Sequence, residues 1–226
     1  MKRIILLAFL LLQACGTDEE ELLKQPASLD FKMDVVREAT KGGKLAFNKG
    51  FLILSSFTFD GDRLQGGDAY FEKEYEDGLL VPFEPGQAIP QLNFTIPQGS
   101  YSEIEIDLEV EADDDISLQV SGVYEHSSGS TYPIVLQVDN FEIFVVNARN
   151  PEGGNEIILV SGQNNFGAIT LNPVHWFANI DTEDLDQAER TLFEGLETIL
   201  INEDFNEDIY DDVEDRLDEL MELIIF

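Results

Sequence analysis

The stretch YSEIEIDLEVE, residues 101–111, decides how the rest of this sequence is interpreted. Its apolar side chains at Ile104, Ile106, Leu108 and Val110 alternate with Glu and Asp. Successive side chains of a β-strand point to opposite faces of the sheet. The pattern therefore predicts a strand with one buried face and a row of carboxylates in water. From this segment we expect a fold built on strands with one solvated side.

Strand-like runs fill the chain on both sides of this stretch. Before it, residues 44–59 place large apolar side chains at positions of one parity. These side chains are Phe47, Phe51, Ile53, Phe57 and Phe59. After it, shorter runs up to residue 171 are separated by turns rich in Gly, Pro, Asn, Asp and Ser. Short strands without helical crossovers predict a mainly β fold, an antiparallel β-sandwich over residues 31–172.

The pattern changes in residues 173–226. Asp181 is a suitable N-cap with Asp184 three positions later, and apolar residues then follow helical spacing as far as Leu196. A second helix is predicted to begin near Asn206, with an apolar stripe from Ile209 to Ile224. We therefore predict an acidic, helical C-terminal appendage that packs on the sandwich.

The first fourteen residues have the composition of an export signal. Two positive residues precede the apolar run 4–12, which is too short to cross a bilayer as a helix. The sequence LQAC at residues 12–15 resembles the lipobox of bacterial lipoproteins. The resemblance implies cleavage between Ala14 and Cys15 and acylation of the Cys15 sulfur and of the new amino terminus. Ordinary cleavage that leaves a free thiol is the alternative.

Residues 15–30 are predicted to be the lipid anchor and an acidic tether, with a reach of roughly 50 Å when fully extended. The acidic run at residues 18–21 resembles the signal that sends some lipoproteins to the outer face of the outer membrane. The resemblance implies a protein held on the membrane by its lipid and exposed at the cell surface. An ordinary solvated linker, with the protein on the periplasmic face, is the alternative.

Composition excludes several classes of function. Cys15 is the only cysteine, so a lipidated chain has no thiol for a disulfide, a metal site or a nucleophile. The formal net charge of −33 argues against nucleic-acid binding, which needs clustered Lys and Arg. It also argues against electrostatic adsorption to anionic membranes. It is compatible with divalent cations or basic partners, although solubility alone explains it.

No catalytic motif stands out, and the chain has only two histidines. His126 lies in a turn rich in Ser and Gly. His175 precedes Trp176, the only tryptophan, and these two are candidate ligand contacts. The alternative is a core histidine where the last predicted strand meets the helices. We therefore expect a protein that is not an enzyme.

Two acidic segments are candidates for calcium, the only cofactor that we consider. Asp60, Asp62 and Asp68 surround three glycines in one predicted loop. Residues 204–215 match several EF-hand ligand types, but Ile209 stands where the calcium loop needs glycine.

Aromatic residues of the stretch 70–83 are candidates for stacking on sugar rings. They are Tyr70, Phe71, Tyr75 and Phe83. Alternation of these side chains into the core is the simpler interpretation.

The segment LNFTIPQGSYSEIEI, residues 92–106, resembles a recurring element of uncharacterised bacterial surface lipoproteins. In that group an apolar strand, a Pro-x-Gly-x-Tyr turn and a long alternating strand belong to a transthyretin-like or related β-sandwich. The resemblance implies a lipoprotein that binds a protein or glycan partner or has a structural role. A fimbrial or pilus subunit or adhesin is one alternative, although strand exchange needs a displaceable terminal strand and this C-terminus is predicted to be helical. A glycan-binding accessory protein of a polysaccharide-uptake system is the other.

Overall fold

The computed structural model describes residues 21–111, 116–217 and 221–226. The strands are β1 (Pro26–Val35), β2 (Leu45–Arg63), β3 (Ala69–Pro82), β4 (Ala88–Pro97), β5 (Gly99–Val110), β6 (Leu118–Glu125), β7 (Thr131–Val138), β8 (Glu142–Arg149), β9 (Ile157–Leu159), β10 (Asn165–Leu171), β11 (Arg190–Phe193), β12 (Leu196–Ile201) and β13 (Met221–Ile225). Three short helices complete the fold: α1 (Pro173–Trp176), α2 (Thr182–Gln187) and α3 (Glu207–Glu214). Within the described ranges, no helix is long and apolar enough to cross a membrane.

All thirteen strands belong to one mixed sheet, in the order β11-β12-β7-β6-β2-β5-β8-β13-β10-β1-β4, with β3 on β2 and β9 on β5. The prediction of a mainly β protein is confirmed. The prediction of a purely antiparallel sheet is wrong, because three pairings in the described residues, β1 with β10, β7 with β12 and β8 with β13, are parallel. In each of them, a strand late in the chain inserts beside an early strand that runs the same way.

Strand β2 is long enough to serve two parts of this sheet. Its residues 45–52 pair with β6, whereas residues 54–63 pair with β5, and β3 lies along its other edge. Both the β3 and the β5 registers shift between Leu54 and Ser56, so β2 bends there. We call the second half of β2, together with β3, β5, β9, β8, β13, β10, β1 and β4, the curled part. The helix-covered part comprises the first half of β2, strands β6, β7, β12 and β11, and the helices.

The curled part buries its inner face by folding back on itself. Phe57 on β2 lies 5.1 Å from Phe31 on β1 and 4.6 Å from Phe94 on β4, measured between ring centroids. Four strands separate β2 from β1 in the sheet order, so these rings meet only because the sheet curls. At the seam between β3 and β4, Tyr75 Oη and Lys73 Nζ both donate to the carbonyl of Gln91, at 3.1 and 3.0 Å.

The helix-covered part buries its inner face beneath the helices. Phe177, which follows α1, packs its ring 5.2 Å from that of Phe47 on β2. The Tyr124 hydroxyl on β6 donates to the Thr182 carbonyl and the Asp186 carboxylate of α2, at 3.1 and 2.8 Å. The apolar side of α3 is also buried. Short helices thus replace the second sheet layer that a sandwich would provide.

The predicted C-terminal helices are only partly present. The capping box of Asp181 and Asp184 is confirmed at the start of α2. Beyond it, β11 and β12 form a hairpin whose turn, Glu194 and Gly195, has φ angles of 49° and 82°. Residues 221–225 are strand β13. The description of residues 173–226 as a helical appendage is corrected, because three of their strands pair within the main sheet.

The sheet also begins earlier than predicted. Strand β1 starts at Pro26, and the residues just before it are held by hydrogen bonds. The backbone N–H of Gln98 donates to the Gln25 carbonyl at 2.8 Å, and Arg63 Nη2 donates to the Leu23 carbonyl at 2.7 Å. A free tether as far as residue 30 is therefore corrected; residues 15–20 of that prediction lie outside the described residues.

Candidate functional site

The outer face of the curled part carries a dense group of carboxylates. Strands β3, β2 and β5 lie side by side there, and cross-strand pairing sets Asp60 opposite Glu105 and Asp62 opposite Glu103. The acidic positions of this outer face are Asp60, Asp62, Glu72, Glu74, Glu103, Glu105, Asp107 and Glu109. Like charges in directly opposed positions repel each other, so this face is electrostatically strained.

The outer face of the helix-covered part has a different composition. Apart from Lys49, the cross-strand positions shared by β2, β6 and β7 are uncharged. They are Ala46, Phe51, Gln119, Ser121, Val123, Pro133, Val135 and Gln137. The two faces meet at the bend of β2.

The three residues proposed for the first calcium site, Asp60, Asp62 and Asp68, do not all lie together in the structure. Asp60 and Asp62 line a small concavity of about 230 Å³ with Glu103 and Glu105. Asp68 instead accepts a hydrogen bond from the backbone amide of Arg63, at 3.2 Å, and so shapes the loop after β2. Among the residues that the structure describes, no three His, Cys, Asp or Glu side chains converge as a metal site would require.

The second calcium candidate and the predicted ligand contacts have structural positions of their own. Residues 207–214 form α3, whose Ile209 and Val213 are buried, so the segment is a packed helix instead of an EF-hand loop. Trp176 is a core residue with 1% of its surface exposed, which leaves its ring no surface for a ligand. His175 accepts a hydrogen bond at Nε2 from Arg216, over 2.9 Å. Ala14 and Cys15 lie outside the described residues.

A cavity that the sequence analysis did not anticipate lies where the two outer faces meet. Opposite Ser55, strand β3 contains four residues, 75–78, between its pairs with Leu54 and Ser56. These four residues interrupt the pairing of β3 with β2 and line a cavity of about 730 Å³. The only signal in the sequence is Asp77-Gly78, a turn dipeptide inside a strand-like run, with Gly78 at a φ of 68°.

The cavity combines an apolar floor with an acidic rim. Phe51, Ile53, Leu80 and Ile116 provide the apolar surface, and Leu80 is 57% exposed. Three carboxylates, those of Glu76, Asp77 and Glu111, belong to its lining. The described lining contains no Lys or Arg, so nothing in the wall neutralises them.

One wall of the cavity is held in place by Tyr75. Its hydroxyl is bonded to the Gln91 carbonyl of β4, and burial raises its pKa to about 12. The ring therefore spans from the cavity to the seam of the curled part and stays neutral at physiological pH. On the facing wall, the Ser55 hydroxyl donates to the Glu109 carbonyl at 3.1 Å.

A chain of amides orients the last polar group of the cavity. The side-chain oxygen of Asn202 accepts from the backbone amides of Asp204 and Phe205, so its nitrogen points to Gln137 and donates at 3.1 Å. Gln137 in turn donates to the side-chain oxygen of Gln119 at 2.9 Å. Because an amide oxygen only accepts and an amide nitrogen only donates, Gln119 presents a donor to the cavity that it lines.

These groups define the contacts that the cavity offers to a ligand. It offers apolar contact, three hydrogen-bond acceptors with negative charge, and one oriented donor, which is the composition of a binding pocket. Of the four aromatics proposed for sugar stacking, Tyr75 lines this cavity, Tyr70 is 65% exposed elsewhere on β3, and Phe71 and Phe83 pack in or against the core.

Comparison of the chain with protein-family models, with curated proteins and with solved structures found no match.

Proposed function

We propose that this chain is a non-enzymatic binding module, held on the outer membrane by a lipid on Cys15 and exposed at the cell surface. The cavity beside Ser55 is the observation that carries the binding role, because it joins exposed apolar surface to unneutralised carboxylates on a rigid sheet. The lipobox-like residues 12–15 support the anchor. The resemblance of residues 92–106 to transthyretin-like lipoproteins is part of the same proposal; β4 and β5 carry that segment.

The negative charge of the cavity rim favours a basic partner over a neutral one. A neutral sugar satisfies hydrogen-bond acceptors, but a Lys or Arg side chain also neutralises their charge and packs its aliphatic stem on the apolar floor. The partner that we propose is therefore a protein segment with a basic residue next to an apolar one. Gln119 would donate to a carbonyl of that segment.

A peptide array tests this partner chemistry. The full chain is applied to peptides that pair Lys or Arg with apolar residues, and in parallel to a polysaccharide array. We expect retention on the basic peptides. The double variant Glu76→Gln/Asp77→Asn removes two rim charges and should bind about tenfold more weakly, since two exposed ion pairs together contribute about 1.4 kcal/mol.

A matched control lies on the same strand. Glu72→Gln/Glu74→Gln removes two charges from β3 outside the cavity and should leave binding unchanged. If both double variants weaken binding equally, the attraction is a general effect of the acidic face and the cavity is not the site. Retention on polysaccharides instead of peptides would assign the cavity to a glycan.

The anchor requires its own measurement. Expressed in bacteria with labelled palmitate, the wild-type chain should incorporate label, and Cys15→Ser should not. Protease added to intact cells should degrade the surface-exposed protein. Survival of the protein in intact cells, with degradation after the outer membrane is opened, would place it on the periplasmic face.

One observation favours a second candidate, a fimbrial or pilus subunit. The expectation of a helical C-terminus argued against strand exchange, and that objection is removed because residues 221–225 form β13. β13 pairs with β10 over five residues but with β8 over only two. Oligomer ladders that resist SDS would support this candidate; a monomer under the same conditions would exclude it.

A further inference from the structure

One end of the curled part gathers three exposed aliphatic side chains around residues 98–100. Leu22, Leu64 and Ile158 are 48%, 58% and 64% exposed. They come from three distant parts of the chain, and most other large apolar side chains of the curled part are in the core. We call these three residues the aliphatic tip.

A side-chain bond, a backbone bond and a strand pairing place the three members. Gln98 Nε2 donates to the Leu22 carbonyl at 2.6 Å, and the Leu64 amide donates to the Ser100 carbonyl at 2.9 Å. Ile158 on β9 is the direct partner of Ser100 on β5. Leu64, which follows β2, and Ile158 on β9 therefore flank Ser100 at either side of β5, and Leu22 lies next to this turn across Gln98.

Arg63 makes this end rigid. Its Nη2 donates to the carbonyls of Leu23 and Gln98, both at 2.7 Å, and its Nη1 donates to Gly67 at 3.1 Å. The guanidinium also lies over the Tyr101 ring, 5.9 Å from the centroid. One half-buried cation thus holds together the chain just before β1, the loop after β2 and the turn before β5.

The chain reaches this end directly from the lipobox. Leu22 follows Cys15 by seven residues, a stretch that spans at most about 25 Å. A lipid on Cys15 therefore keeps the aliphatic tip close to the bilayer surface, and the effective concentration of lipid at the tip is high. Under such tethering, a weak apolar contact is sufficient to hold one orientation.

We propose that the aliphatic tip rests on the lipid bilayer into which the lipid of Cys15 is inserted. This inference rests on the proposed anchoring. Leu22, Leu64 and Ile158 enter the boundary between head groups and acyl chains, where aliphatic side chains gain from leaving water. The anchor then sets the orientation of the whole sheet relative to the membrane.

The charges near the tip decide which lipids it accepts. Glu156 lies beside it, where its Oε1 accepts a hydrogen bond from the Ser100 hydroxyl at 2.7 Å. The chain as a whole has a formal charge of −33. Because Arg63 offsets Glu156 at this end, the charge of the whole chain decides: anionic head groups repel it, and contact should be closer on phosphatidylethanolamine and phosphatidylcholine than on vesicles that contain phosphatidylglycerol.

Tryptophan fluorescence measures the contact in the lipidated full chain. Leu64→Trp and Ile158→Trp are made separately and incorporated into phosphatidylethanolamine–phosphatidylcholine vesicles with brominated acyl chains. We expect each to lose about half of its added emission, as side chains at the head-group boundary do. Leu192→Trp, at a residue 77% exposed on β11, is the matched control and should keep its emission. Trp176 is buried and contributes the same background to every variant.

Each outcome has one meaning. Quenching at positions 64 and 158 without quenching at 192 supports the docked tip. Vesicle flotation and a lipid-sized mass increase without quenching at 64 and 158 would overturn the inference and leave the anchor intact. A chain that neither floats nor carries lipid overturns the anchor, and the docked tip with it.

Discussion

The curled part and the helix-covered part bury the same kind of sheet face by different means. In the curled part, the inner face carries aromatic rings, including Phe31, Phe57, Phe71 and Phe94, and the sheet closes on them. In the helix-covered part, the inner strands carry mainly aliphatic side chains such as Leu136, and short helices cover them. Rings from distant strands meet inside the curling sheet, whereas in the helix-covered part single aromatic residues, Phe47 and Tyr124, contact the helical segments among aliphatic neighbours.

The two outer faces differ in the same way. The curled part carries opposed carboxylates, and the helix-covered part carries mainly uncharged residues where β2, β6 and β7 pair. The cavity beside Ser55 takes most of its acidic rim from β3 of the first and one residue of its apolar floor, Phe51, from the second. A boundary between two unlike surfaces thus provides both kinds of contact that a selective pocket needs.

The largest expected effect comes from the rings. Phe57→Ala should lower the free energy of unfolding by about 4 kcal/mol and Phe47→Ala by about 3 kcal/mol. Phe57 touches three other rings, whereas Phe47 touches one. Urea denaturation measures both, and Phe57→Leu replaces Phe57→Ala if the latter does not fold. Equal losses would show that the aromatic cluster contributes nothing beyond burial.

The next effect compares tyrosine hydroxyls. Tyr124→Phe removes a donor to the Asp186 carboxylate and should cost about 2 kcal/mol, whereas Tyr75→Phe removes a bond to a neutral carbonyl and should cost about 1 kcal/mol. Tyr70→Phe, at an exposed position, should change nothing. The three unfolding curves are compared under identical conditions, and a Tyr75 variant as stable as the Tyr70 variant would show that the seam needs no hydroxyl.

A smaller effect is expected in the pH dependence of the unfolding free energy, to which Asp186 contributes. Hydrogen bonds from Ser127 and Tyr124 lower the pKa of Asp186 to about 2, from an ordinary value of 3.8. The folded state thus favours the ionised form of Asp186. The stability that this carboxylate contributes is present above pH 3.8 and disappears as the pH falls towards 2. Asp186→Asn should remove this slope from a plot of unfolding free energy against pH. An unchanged slope would show that other carboxylates cause it.

The smallest expected effect has the opposite sign and lies in the curled part. Burial, with a contribution from Asp60, raises the pKa of Asp107, whose Oδ1 is buried and has no hydrogen-bond partner in the described part of the chain. Its ionised form therefore destabilises the fold at neutral pH, and this penalty vanishes on protonation. Asp107→Asn should raise the free energy of unfolding at pH 7 by about 0.5 kcal/mol. A loss of stability would mean that the carboxylate has a partner.

Much of the sheet could be predicted from local pattern. Alternation in residues 104–110 correctly predicts β5, and the apolar residues between 47 and 59 correctly predict a long strand β2. The prediction that they share one buried face is wrong for Phe51 and Ile53, because register shifts on either side of them turn Leu52 and Leu54 inward instead.

The spacing of Leu192 and Leu196 predicted a helix and was misleading, because a separation of four fits one helical turn as well as two ends of a tight hairpin. The hairpin is stabilised by the pairing of β12 with the distant strand β7, and a local sequence pattern holds no information about that pairing.

The candidate site was less predictable for the same reason. The cavity depends on a register difference between β2 and β3 at Ser55, and on an amide chain that begins at Asn202. Both require knowledge of which strands are neighbours. Trp176 and His175 were singled out because they are rare residues, and rarity does not distinguish a core position from a binding position.

The place of β13 determines when the molecule can assemble. In the described pairings it is the only strand that joins β8 to β10, and every other strand precedes it in the chain. During synthesis, β10, β1 and β4 therefore have no strand pairing with the rest of the sheet until residues 221–225 are made. A chain exported as proposed joins these strands to the rest of the sheet only after residues 221–225 have crossed the membrane.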